Sequence, residues 1–121
     1  GKWCPDCREF KTEEECRKIF ESLFNKEFPK HRCIFGSRLE LDGFCEELML
    51  AFEYNGEYHY LPGWWSNAQE CLIKAQARDK IKVQLCKDNG VKLIVIPYTE
   101  ADNLSFYISE KLKENGCLIV R

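Results

Sequence analysis

A chain of 121 residues is long enough for one domain with a real core and too short for two independent ones. Its 45% hydrophobic and 13% aromatic content excludes a disordered tail, and no run approaches the roughly 18 apolar residues of a membrane span. A formal net charge of −2 speaks against a uniformly basic nucleic-acid-binding surface, yet the charges are segregated. Residues 41–60 hold five acids and no Lys or Arg, while residues 61–92 hold six bases and three acids. An acidic focus beside a basic segment is what a metal-dependent phosphodiesterase needs, because metal and phosphate attract opposite charges. With no recognisable secretory signal, the expectation is a soluble intracellular protein without a membrane partner.

The first motif is Cys4-x-x-Cys7 in GKWCPDC. It offers two of the four ligands that zinc takes, so half of a zinc ribbon, a pair of plain thiols and a redox pair all stay open. The other six cysteines, Cys16, Cys33, Cys45, Cys71, Cys86 and Cys117, are scattered, and read as reduced, small apolar side chains.

Thr12 and Glu15 form a capping-box pattern, followed by Cys16, Ile19, Phe20, Leu23 and Phe24 at helical spacing, which predicts a helix over 12–25. Glu13 falls on the same side as Cys16, Phe20 and Phe24, whereas Glu14 points away. Of the three consecutive glutamates, only Glu13 lacks a structural job.

Two β-prone stretches, 33–43 and 48–55, flank the polar Glu46-Glu47 and predict a hairpin. Asp42 and Glu53 interrupt these runs, and a buried carboxylate needs a cation, a donor cluster or a raised pKa. A loop centred on Glu46-Glu47 pairs residues whose numbers sum to about 93 or 95. Either odd sum puts Asp42 and Glu53 on one face, near enough to share a cation. Asn55 and His59 follow on the second run.

After Pro62 and Gly63 come Trp64 and Trp65, which either stack on bases or pack under their loop. Ser66 and Gln69 form a second capping box before a long helix over 67–89, with the stripe Ala68, Cys71, Leu72, Ala75, Val83 and Cys86. Asp79 and Lys82 fall inside that stripe, as partners of each other at i, i+3 or as residues that face a site. Lys74, Arg78, Lys80 and Lys87 track phosphates or solvate the helix. Gly90 ends it. VKLIVIPY, 91–98, is apolar on both faces and reads as a central strand, before a helix over 101–115 and a final strand over 117–120. The order α-β-β-β-α-β-α-β predicts an α/β fold, a mixed sheet flanked by helices, over 12–121, with 1–11 as a tail or ribbon knuckle.

Taken in this order, the residues resemble the restriction-endonuclease-like, PD-(D/E)XK superfamily. FEYNGEYHY, with Asp42 eleven residues before Glu53 and RDKIKVQLCKDNGVKLIVIPY behind it, is similar to the very-short-patch-repair and EDxHD homing-endonuclease branch. The resemblance implies a Mg²⁺- or Mn²⁺-dependent DNA endonuclease with Asp42 and Glu53 as metal ligands. It also implies a helix-1 acid at Glu13, a catalytic histidine at His59 and a second helix acid at Asp79. Asn55 stands where the family's E-x-K motif has lysine, so Lys82 or His59 would have to take over that function. DNA is the implied partner, with a second copy or a fused zinc-ribbon region, carrying Zn at Cys4 and Cys7, as further candidates. The rival class is a nuclease-fold module that binds nucleic acid or protein without cutting.

Overall fold

The computed structural model describes residues 5–32, 34–56 and 68–117, with side chains described from Lys11 onward. Among them, six regular elements follow in the order α1 (Pro5–Phe24), β1 (Gly43–Cys45), β2 (Leu50–Asn55), α2 (Ala68–Asp88), β3 (Lys92–Pro97) and α3 (Leu104–Glu114). Single 3₁₀ turns sit at Ile34–Gly36 and Tyr98–Glu100. The sheet order is β1-β2-β3, with β1 antiparallel and β3 parallel to β2. Two parallel strands cannot be joined by a tight turn, and α2 lies within the crossover that connects them. The predicted α/β class, a mixed sheet flanked by helices, is what forms.

The pleat of β2 sorts its residues into two jobs. Leu50 and Phe52 pack with Cys16, Phe20 and Phe24 of α1, Ile94 and Ile96 of β3, and Ile108 and Leu112 of α3. Phe20 stacks on Phe52 with ring centres 4.8 Å apart. Ala51 points the other way, into a cluster with Ile34, Leu41, Phe44, Cys86 and Val91 beneath α2. Because successive side chains alternate across a strand, Glu53 and Asn55 share the α2 face with Ala51. Gly43, paired with Phe52, has no room for a side chain: a Cβ there would lie 2.1 Å from the Phe52 ring.

Several boundaries differ from the sequence reading. The first helix begins at Pro5, a residue well suited to a first helical position, and Thr12 lies inside it rather than capping it. The strand expected over 33–43 is displaced to Gly43–Cys45, because the 3₁₀ turn puts Phe35 at φ 49°, and among the described residues of that stretch the pairing is a single His31–Leu41 bridge. Left-handed backbone at a bulky residue breaks a strand. The second helix matches its predicted span to within a residue at each end, but within its stripe Cys71 and Val83 are exposed, leaving Ala75 and Cys86 as the buried pair. The third helix starts at Leu104, after the 3₁₀ turn. Among the described residues β2, not 91–98, is the central strand. The additional strand before α2 and the strand over 117–120 fall on or beyond the limits of the described residues. Cys16, Cys45, Cys71, Cys86 and Cys117 are free thiols, the first two and Cys86 buried, as the scattered pattern implies.

Candidate functional site

The hairpin register decides which carboxylates meet. Gly43 opposes Phe52, Phe44 opposes Ala51 and Cys45 opposes Leu50. This is the larger of the two odd sums, and one step further along it brings Asp42 opposite Glu53. The backbone N–H of Asp42 donates to Glu53 Oε1 at 2.8 Å, and the N–H of Tyr54 donates to Asp42 Oδ2 at 2.9 Å. From α2, Lys82 Nζ donates to Glu53 Oε2 at 3.1 Å. Two residues along β2, Asn55 Nδ2 reaches Asp79 Oδ2 at 3.4 Å, a long contact.

Helix α1 adds a third acid at the β1 edge. The Glu13 carboxyl lies close enough to Asp42 for the charge of Asp42 to bear on its ionisation. Its Oε2 lies 3.6 Å from Arg17 Nη2 and 3.7 Å from Lys30 Nζ, yet forms no hydrogen bond despite complete burial of that atom. Arg17 holds this corner together: its Nε donates to the Phe28 carbonyl at 2.8 Å, and its other nitrogens donate to the Asp42 carbonyl and the Glu14 carboxylate.

Glu13 is 9% exposed, and Glu53 and Asn55 are each 5% exposed. Burial, then the charge of Asp42, raises the Glu13 carboxyl to about 7 against the pull of Lys30 and Arg17. Burial and Asp42 likewise raise Glu53 to about 7, with Lys82 opposing. Burial pushes the Cys86 thiol beneath them up to about 11, helped by the charge of Glu53. Burial is the larger cause of both shifts, and the charge of Asp42 adds to it beyond what Lys82, Arg17 and Lys30 offset.

Hard carboxylate oxygens with an unused buried acceptor at Glu13 suit a small divalent cation, which takes one or two carboxylates and completes its shell with water. Glu53 itself is fully engaged, with one oxygen on the Asp42 N–H and the other on Lys82. Among the described residues no group of three or more His, Cys, Asp or Glu side chains is disposed to hold a metal ion.

Of the residues singled out from sequence, Glu13, Asp42, Glu53 and Lys82 meet in one cluster, and Asn55 and Asp79 meet beside it. Lys80 lines the adjoining groove, of about 430 Å³, together with Glu53, Asn55, Asp79 and Lys82. Lys74 and Arg78 are exposed, Lys74 paired with Glu70 at 3.2 Å. His59, Trp64, Trp65 and Cys4 lie outside the described residues, as does the side chain of Cys7. Arg17 and Lys30 were not singled out. Arg17 had a readable signal, four residues after Glu13 on the same helix. Lys30, in the irregular segment after α1, had none.

No family model and no solved structure matches the chain. It is similar to the uncharacterized protein 033L of Invertebrate iridescent virus 3, 36% identical over 112 residues, covering 86% of this chain and 58% of that protein. It is also similar to the uncharacterized protein 307L of Invertebrate iridescent virus 6, 42% identical over 82 residues, covering 66% of this chain and 41% of that one. The uncharacterized protein 094L of Frog virus 3 (isolate Goorha) is 35% identical over 102 residues, covering 78% of this chain and 66% of its own length. The chain thus spans only part of these longer viral proteins.

Proposed function

We propose that the protein is a metal-dependent endonuclease that hydrolyses DNA phosphodiesters, with Asp42 and Glu53 as ligands of Mg²⁺ or Mn²⁺. The observation that carries this reading is the alignment of two opposed acids with a lysine: Glu53 faces Asp42 across paired strands and receives Lys82 at 3.1 Å from α2. These are the charges that the family resemblance assigns to its centre, with the lysine arriving from a helix instead of from Asn55. A cation held by Asp42 and Glu53 would lower the pKa of an attacking water and offset charge on the phosphate.

The chain's own groups supply the rest. Lys82, already drawn in by Glu53, is placed to neutralise a phosphate oxygen. Glu13, beside Asp42 and with a carboxyl raised to about 7, can take up or release a proton near neutral pH. Asn55, braced against Asp79, orients rather than neutralises. His59, four residues beyond Asn55, is the proposed second proton carrier.

The test is cleavage of plasmid and single-stranded DNA with Mg²⁺ or Mn²⁺ by wild type and by Asp42→Ala, Glu53→Ala and His59→Ala. Activity lost in the first two supports the site, and activity unchanged in all three refutes it. A second reading, a non-catalytic module that binds nucleic acid or protein, is favoured by one observation: both Glu53 oxygens are satisfied within the protein. Binding without cleavage would select it.

A further inference from the structure

The groove beside Glu53 has a chemistry that the carboxylate cluster does not use. Its walls include Val83, Leu93 and Val95, which are apolar, and the amides Gln76, Gln84 and Asn55 stand around them. Lys80 and Lys82 line it together with the acids Glu53 and Asp79. At about 430 Å³ it has the size of a small-ligand site rather than of a crevice between side chains. Asn55 is the second, independent observation: it is 5% exposed, it lines the groove, and its buried Oδ1 has no hydrogen-bond partner. An acceptor already stripped of water costs nothing further to desolvate, so a turn of the Asn55 amide that brings Oδ1 onto a ligand's N–H donor restores a missing bond.

An occupant must therefore offer a flat apolar face to Val83, Leu93 and Val95, a polar edge with an N–H donor to the amides, and a nearby negative charge to Lys80 and Lys82. A fatty chain meets only the first requirement and a sugar phosphate only the last. A nucleotide base with its 5′-phosphate meets all three, since every base has a π-face and an edge of donors and acceptors. We propose that the groove between α2 and the β2–β3 face is a nucleobase subsite, which receives one unstacked base of the nucleic acid whose phosphate lies at Asp42 and Glu53. This rests on the nuclease reading for its substrate, although base binding is measurable without cleavage. Seating a base there requires it to leave its stack, so single-stranded or locally unpaired DNA is the substrate form the groove favours.

The experiment is an NMR titration of the protein with the four deoxynucleoside 5′-monophosphates and, as the baseless control, deoxyribose 5-phosphate. Expected are shifts of the Val83, Leu93 and Val95 methyls and of the Asn55 side-chain amide with at least one nucleotide, and none at these groups with the control. Val83→Trp, at a position 49% exposed and so open to a larger side chain, fills the groove and weakens nucleotide binding about tenfold. A Gln76→Ala/Gln84→Ala variant, with both changes on an exposed helix surface, gives the same loss without added bulk. Equal shifts with nucleotide and control, no shifts with either, or unweakened binding in both variants would overturn the subsite. Mn²⁺ binding by the wild-type protein is followed in parallel by line broadening at the Asp42 and Glu53 amides. Cation binding without base binding sinks the subsite alone, and base binding without cation binding sinks the metal centre alone.

Discussion

Lys82 of α2 donates to Glu53 of the central strand at 3.1 Å, whereas Asn55, two residues further along that strand and on the same face, carries no charge. The positive charge of the centre therefore comes from the helix that crosses over the sheet. Lys82→Met should lower cleavage by about two to three orders of magnitude, the scale on which removing one preorganised donor acts. Moving the charge to the strand in Asn55→Lys/Lys82→Met should recover part of that loss. Single-turnover cleavage rates of the two variants provide the comparison, and a double variant no better than Lys82→Met would argue that the helix position itself is required.

The metal-free protein should lose stability as pH rises through the acid-to-neutral range. Glu13 and Glu53 keep their protons up to about pH 7 when folded, whereas an unfolded chain releases them at about 4.3. Between those values the folded state binds more protons, so its stability declines with rising pH and levels off once both carboxyls are ionised. Urea unfolding should give a lower midpoint at pH 8 than at pH 5, and Glu13→Gln should flatten the difference. Added Mg²⁺ should raise the midpoint at pH 8 and have little effect at pH 5. A midpoint that climbs from pH 5 to pH 8 without metal would contradict the packing of these acids.

Asp42 is a shared cause of both raised values. Asp42→Asn should therefore lower the titration midpoints of Glu13 and Glu53 together, although their burial keeps them above the ordinary carboxylate range. Carboxyl ¹³C titration of the two glutamates by NMR reads this directly. If only one midpoint moves, the three acids do not form a single cluster.

Gly43→Ala should destabilise the fold by about 3 kcal/mol, at the upper end for overpacking a core, because the added methyl meets the Phe52 ring, which packs against both Phe20 and Phe28. Thermal or urea unfolding measures it. The variant also tests the site, since any shift of β1 away from Phe52 moves Asp42 relative to Glu53.

The parts of this architecture that sequence made legible are those governed by parity and period. Asp42 and Glu53 could be placed together because a hairpin about Glu46-Glu47 puts them on one face at either odd register, and the odd sum of 95 is the one that forms. Lys82 and Asp79 could be placed inward because their helix angles fall among buried positions. What sequence did not reveal was set by single backbone conformations and long-range contacts. Phe35 in left-handed geometry breaks the first strand, which no propensity of CIFGSRLEL announces. Arg17 gains its importance from the carbonyls of Phe28 and Asp42, which are distant in sequence, and Lys30 lies in a segment without periodicity.

The strand that hides Phe52 between helices is the same strand that turns Glu53 toward α2. A one-residue slide of β2 would bury Glu53 among Phe20, Ile94 and Ile108 and drive the Phe52 ring under α2, where Ala51 and Glu53 now sit, so a backbone that has lost the carboxylate arrangement has also lost its core. Misregistered but folded copies have no stable place on this scaffold. Side chains of the centre can be exchanged one at a time, but the frame on which they stand cannot shift without them.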